Sequence, residues 1–227
     1  MARIEINSAY SAQPSTAKPN PFVEVAIRHC LENGLLSRDS NKPRIADQGC
    51  GKLRHLTILC RYFDTIYLID KEFQLNLSQR LFDLDGTSIK EYISSLKMSG
   101  KKFNVLSSLD FDSSKLNLDI VFNICVFDVE VPKIRKAMIA AAYKNLKEGG
   151  LYVVIIPRND QSILVRCTTK NRYLDGHVFQ HRGVVTFYKN YRNTRSLIYA
   201  FAKESFVLEA DLSVYRQVCL ILRKMDG

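Results

Sequence analysis

Residues 44–70 read RIADQGCGKLRHLTILCRYFDTIYLID. The order is a short apolar strand, a turn carrying Gly49 and Gly51, a stretch with helical spacing, and a second apolar strand ending in Asp70. Glycines at such a turn let the chain fold back tightly and bring a ligand close to the backbone. An acid about 20 residues further on sits where a carboxylate accepts hydrogen bonds from both hydroxyls of a ribose. The stretch is the start of a nucleotide-binding βαβ unit, and an adenosine is the expected ligand moiety.

The surroundings of the glycines narrow the choice. A dinucleotide site wants a third glycine three residues after the second, where a helix N-terminus meets pyrophosphate; that position is Arg54. Asp47 precedes the first glycine by two, and an acid there suits a ligand bearing positive charge rather than phosphates. Asp47-Gln48-Gly49-Cys50-Gly51 resembles the D-x-G-x-G signature of class I S-adenosylmethionine-dependent methyltransferases, whose ligand carries a sulfonium and an ammonium. The resemblance implies S-adenosyl-L-methionine as cofactor. Leu53 departs from it, standing where many members have a third glycine.

The rest of the chain fits one α/β domain, 1–227. Residues 1–20 are polar and proline-rich and read as a flexible arm; 22–36 has helical spacing. Strands are expected at 45–47, 65–69, 103–106, 118–125 and 151–156, with helices at 53–62 and 133–146, the latter stopped by a left-handed glycine cap at 148–150. Residues 71–100 read as helix in two pieces broken near Asp85-Gly86. After a helix over 195–203, two apolar runs at 206–212 and 214–222 are too close for a crossover and must be antiparallel. Strands alternating with helices demand a mostly parallel sheet covered on both faces, a three-layer sandwich. The closing hairpin also resembles the methyltransferase family, which implies a seven-stranded, Rossmann-like sheet with its last strand inserted antiparallel.

Ligands of open α/β sheets sit beyond the C-terminal ends of the strands. That rule selects Asp47, Gln48, Gly49, Cys50 and Gly51 after strand one, Asp70 and Lys71 after strand two, Asp110 and Phe111 after strand three, and Asn123 at the end of strand four. By resemblance, the turn lies against the methionine part and Asp70 binds the ribose. Asp110 accepts the adenine amino group with Phe111 or Leu109 beside the ring, and strand four, at Asn123, supports the methionine ammonium. Asp110 also reads as a helix cap in Leu-Asp-Phe-Asp-Ser-Ser, and His55 as either a structural histidine or a substrate contact.

The chain has 227 residues, is 46% hydrophobic, and carries a formal net charge of +10, more than solubility requires, so a polyanionic partner is plausible. It shows no membrane-length apolar run and no secretory pattern, and a cytoplasmic location is expected. Its six cysteines form no C-x-x-C pair and read as reduced packing residues. His177 and His181 lack companions in a metal-ligand pattern, so no metal is expected. Nothing indicates an oligomeric state.

The methyl acceptor is less legible. The nucleic-acid amino-methyltransferases carry [DNS]-P-P-[YFW] after strand four, and the sequence here, Asn123-Ile124-Cys125-Val126-Phe127-Asp128, has the first residue but neither proline. Residues 158–195 hold Arg158, Arg166, Lys170, Arg172, Arg182, Lys189, Arg192 and Arg195 against Asp160 and Asp175, interleaved with Tyr173, Phe179, Phe187, Tyr188 and Tyr191. Cations pair with phosphates and aromatics stack on bases, so the segment reads as the acceptor side of a nucleic-acid groove, with Arg158, Arg172, Arg182, Tyr188 and Tyr191 as contacts. It also reads as an insertion whose aromatics cover the domain's edge. Three functions follow: a methyltransferase acting on DNA or RNA, one acting on a small molecule in a pocket closed by the arm and this segment, or a non-catalytic cofactor-binding partner subunit.

Overall fold

The structure is a computed structural model that describes residues 6, 12–36, 43–158, 165, 167–181, 184–191 and 193–225. In chain order its elements are α1 (Pro21–Glu32), β1 (Arg44–Gln48), α2 (Leu56–Tyr62), β2 (Thr65–Asp70), α3 (Glu72–Asn76), β3 (Gln79–Leu81), β4 (Leu84–Thr87), α4 (Ile89–Ser95), β5 (Lys102–Ser107), α5 (Ser108–Ser113), β6 (Leu118–Ile124), α6 (Pro132–Asn145), β7 (Leu146–Pro157), β8 (Arg172–Tyr173), β9 (Gly176–His181), β10 (Val184–Tyr188), α7 (Arg195–Ala202), β11 (Phe206–Asp211) and β12 (Gln217–Lys224).

Seven strands form the main sheet in the order β11-β12-β7-β6-β1-β2-β5. The five from β7 to β5 are parallel, and β12 runs antiparallel to both β7 and β11. Alternation along each strand splits the core. On one face Ile45, Phe122 and Ile155 pack with Ile27 of α1, Leu59 of α2 and Ile89 of α4. On the other, Val121, Tyr152 and Val154 pack with Phe111 of α5, Ile139 of α6 and Phe201 of α7. This is the expected three-layer sandwich, held by side chains whose burial is worth about 1.5–3 kcal/mol each. Among the described residues no helix is long and apolar enough to cross a membrane, and the six cysteines are free thiols.

Several local expectations need correction. The arm is not loose over 12–20: Ser15 Oγ accepts from Phe82 N at 2.6 Å, Lys18 O accepts from Arg54 Nε at 2.8 Å, and Asn20 caps α1 by accepting from Phe22 N. Residues 71–100 hold two short helices around a β3–β4 hairpin, because Phe82 and Gly86 take left-handed φ values of 51° and 68° that a helix cannot continue. Helix α2 starts at Leu56 rather than Leu53, since Leu53 also has φ of 62°. Helix α6 ends at Asn145, whose amide donates to Phe111 O and Ala141 O; Gly149 lies inside β7, where the register against β6 shifts, and caps nothing.

The described part of 158–195 is dominated by a second, three-stranded antiparallel sheet, β10-β9-β8. Arg135 of α6 anchors it by an ion pair to Asp175, stacking near Phe187 and Tyr191 at 5.9 and 5.8 Å. Lys189 adds a bond from its Nζ to Asp175 O and from its backbone N to Asp128 O, each 2.7 Å.

Candidate functional site

The turn after β1 is built on the neighbouring strand. Gly49 N and Cys50 N both donate to Ile69 O, at 2.7 and 3.0 Å. Gly51 N donates to Asp70 Oδ2 at 2.8 Å, Lys71 N to Asp70 Oδ1 at 2.7 Å, and the buried Gln74 amide to Gly51 O at 3.2 Å. Gly49 and Gly51 have φ of 86° and 54°. A Cβ on Gly49 would lie 2.5 Å from Val126 Cγ2, so only glycine fits there. Each Asp70 oxygen keeps a lone pair after its backbone bond. Burial pushes the Asp70 carboxyl up, and the two backbone N–H groups pull it back down.

Asp47 is the anomaly of the site. It is 1% exposed, and neither carboxylate oxygen has a hydrogen-bond partner. Burial, and next the charge of Asp70, raises its pKa to about 7. An orphaned buried carboxyl costs free energy unless a cation or donor arrives from outside the chain. Asp47 under a glycine cradle, with Asp70 at its side, is the arrangement that a cationic ribose-bearing ligand fits.

Two compartments open on this floor. The larger, about 330 Å³, lies beside Asp70 and is lined mainly by Ile69, Ser107, Leu109, Phe111, Ile134 and Met138. Its apolar walls suit a flat ring. The smaller, about 100 Å³, lies over the turn and is lined by Ala12, Gln13, Arg54, His55, Cys125 and Val129 among others. His55 is 6% exposed, and burial followed by the Arg54 charge lowers its imidazole to about 4. Its Nδ1 accepts from Asn20 N at 3.4 Å, so the neutral ring carries its proton on Nε2. The lone histidine is therefore a fixed donor, not a base. Burial lifts the Cys125 thiol to about 12, which makes it no nucleophile.

The structure places the other expected residues unevenly. Gln48 borders the larger compartment, but Asn123 lies fully buried beneath it, donating to Gln48 Oε1 at 3.4 Å while Tyr152 Oη donates to the same oxygen at 2.7 Å. Asn123 thus supports Gln48 rather than a ligand. Cys50 is a buried filler of the turn, its thiol pushed well up by burial. Asp110 is the first-turn partner of the α5 cap: Ser107 is the N-cap, its Oγ accepting from Asp110 N at 3.1 Å and donating to Asp110 Oδ2 at 2.7 Å. Phe111 is buried and walls the larger compartment. Lys71 meets Glu130 across the cleft at 2.8 Å.

The expected acceptor contacts do not come together. Tyr188 and Tyr191 are 1% and 6% exposed, so their rings are core and offer no face to a base. Arg158 spends its Nε on Val214 O and Tyr215 O at 2.9 and 3.0 Å, tying down the β11–β12 turn. Arg172 is exposed. Arg182, with Arg166 and Arg192, lies outside the described residues. His177 and His181 are both on β9, where four residues span about 13 Å. Sequence reasoning passed over Glu130, Ser107, Gln13 and Gln74. None sits in a motif: Ser107 ends β5, Gln74 belongs to α3, and Gln13 and Glu130 lie on connecting segments, so only the fold brings them to the cleft.

No family model matches this chain, and no curated protein does. Solved structures match over nearly its whole length. A 1,6-didemethyltoxoflavin-N1-methyltransferase from Burkholderia thailandensis, holding 1,6-didemethyltoxoflavin and S-adenosylhomocysteine, covers 100% of this chain and 93% of its own at TM-score 0.57 and 10% identity. Magnesium protoporphyrin IX methyltransferase from Synechocystis, with bound S-adenosylhomocysteine, covers 90% and 82% at 0.59 and 12%. An S-adenosylmethionine-dependent methyltransferase from Clostridium acetobutylicum covers 89% and 90% at 0.58 and 16%. The chain has the Rossmann-like fold of these methyltransferases.

Proposed function

We propose that this chain, a single domain over 1–227, is an S-adenosylmethionine-dependent methyltransferase whose acceptor is a small molecule. The observation that carries the reading is Asp47: a buried carboxyl with no partner, two residues before a turn only glycine can make, lining neither compartment itself while Gln48, Gly49 and Asp70 line the apolar one. A sulfonium-bearing nucleoside answers each of these. When bound, S-adenosylmethionine supplies the methyl group. The chain's part is to bind and orient: Asp70 accepts from ribose hydroxyls, Phe111 and Leu109 wall the adenine, Asp47 balances positive charge, and His55 Nε2–H with Arg54 faces the carboxylate end.

Methyl transfer of this kind needs positioning more than a base. That agrees with a cleft whose histidine and cysteine are held neutral. The small acceptor is supported by Ala12 and Gln13, which narrow the compartment over the turn, and by the acceptors that two of the similar structures are named for. A nucleic-acid acceptor keeps the net charge of +10 in its favour, but the tyrosines and Arg158 meant to contact it are engaged within the protein. A cytoplasmic location fits the free thiols.

The test is transfer from methyl-labelled S-adenosylmethionine to three pools: a small-metabolite extract, total RNA and genomic DNA. Label is expected in the small-metabolite pool. Label in RNA or DNA alone would revive the nucleic-acid reading, and cofactor binding without transfer to any pool would favour the non-catalytic subunit.

A further inference from the structure

The two compartments adjoin along a shared border. Gly49, Asp70, Val126 and Glu130 border both. Val126 presses on the turn at Gly49, and Lys71, from the end of β2, reaches Glu130, from the segment after β6, at 2.8 Å between Nζ and Oε1. The Glu130 side chain is 8% exposed and that of Lys71 44%, so the cation covers the acid from the solvent side. The compartment over the turn is the smaller, about 100 Å³ against about 330 Å³. Lys71 lines the larger compartment and Glu130 lines both.

We propose that Lys71 and Glu130 bolt the cleft into two half-sites, and that only a ligand long enough to occupy both withdraws the bolt, its own positive charge replacing Lys71 beside Glu130. The inference rests on the cofactor reading above. It changes the part given to Lys71: the lysine competes with the ligand instead of holding it. It also makes full-length ligands, and not nucleoside fragments, bear the cost of opening the pair. Because one cation is exchanged for another, the acid is never left buried and unpaired, which would cost far more than the pair itself yields.

The experiment is calorimetric titration of the full chain and of Lys71→Met, Lys71→Arg and Glu130→Gln with adenosine, S-adenosylhomocysteine and S-adenosylmethionine. A half-exposed ion pair is worth up to about fivefold in affinity. Lys71→Met is expected to bind S-adenosylhomocysteine and S-adenosylmethionine about two- to fivefold more tightly, with adenosine unchanged and Lys71→Arg like the wild type. Glu130→Gln is expected to bind both full-length ligands more weakly, again with adenosine unchanged. A Lys71→Met protein that binds the full-length ligands no more tightly, or variants that shift adenosine as much as the others, would overturn the bolt while leaving the cofactor reading intact. If the wild type binds none of the three ligands, the cofactor reading itself falls.

Discussion

The turn at Gly49–Gly51, flanked by Asp47 and Asp70, and the small β8–β10 sheet, rich in charged and aromatic residues, use their polar groups in opposite ways. In the turn, backbone groups do the internal bonding, so that Asp47 is left without a partner and Asp70 keeps lone pairs to offer. In the small sheet, side chains do it: Arg135 is held by Asp175, Lys189 by Asp175 O, and Tyr188 and Tyr191 by the core. A binding surface needs groups whose hydrogen-bonding capacity the fold has not consumed. Composition counts such groups; only the fold tells which remain available.

If that contrast is right, substitutions in the two regions fail differently. Tyr188→Ala should cost about 3–5 kcal/mol of stability, as expected for a buried aromatic, and should leave ligand affinity in the still-folded fraction unchanged. Denaturant unfolding with a parallel binding titration checks it; a stable variant with weakened acceptor binding would restore the groove.

The pH dependence of stability separates Asp47 from its neighbour His55. Asp47 has its folded pKa raised to about 7, so the folded state holds the extra proton and stability falls as pH rises from about 4 to 7. The full shift is worth roughly 4 kcal/mol. His55 is lowered to about 4, so the unfolded state holds the extra proton and stability rises from pH 4 to about 6.5. Over pH 4 to 6.5 the two contributions oppose. Relative to the wild type, Asp47→Asn should tilt the stability curve upward with pH, and His55→Gln downward. Parallel curves for the three proteins would show that neither group is buried as described.

Asp70→Ala should weaken S-adenosylhomocysteine binding about ten- to a hundredfold, the loss of a charged bidentate acceptor at roughly 1.5–3 kcal/mol, with a smaller effect on folding. Calorimetry reads it directly. At the small end, Arg172→Ala should change stability by less than about 0.5 kcal/mol, since the residue is exposed. A larger loss would mean that the small sheet depends on that arginine.

These expectations also mark how far the sequence carries. The βαβ unit was legible because its demands are local: left-handed backbone at Gly49 and Gly51, an acid about 20 residues on, and strand periodicity. The antiparallel closing pair followed from loop length alone. The hairpin at 79–87 was not legible, since its turn is made by Phe82, a residue with no turn preference, at φ of 51°. Asp110 was ambiguous because a capping acid and a ligand acid occupy the same place in sequence, and only the short contact with Ser107 decides. Tyr188 and Tyr191 were misread because distant packing buries them: three consecutive residues at the end of β10 are buried, and Arg135, far off in sequence, lies over the Tyr191 ring. Glu130 belongs to no motif at all.

The central claim, that Asp47 and its glycine turn receive a cationic adenosine cofactor, is tested most directly by titrating S-adenosylmethionine into the protein at pH 7 in two buffers of different ionisation enthalpy. A cation arriving beside a carboxyl with a pKa of about 7 must expel its proton. The account predicts binding with release of up to about half a proton per ligand, abolished in Asp47→Asn. Absence of binding, or binding whose heat is the same in both buffers, would contradict it.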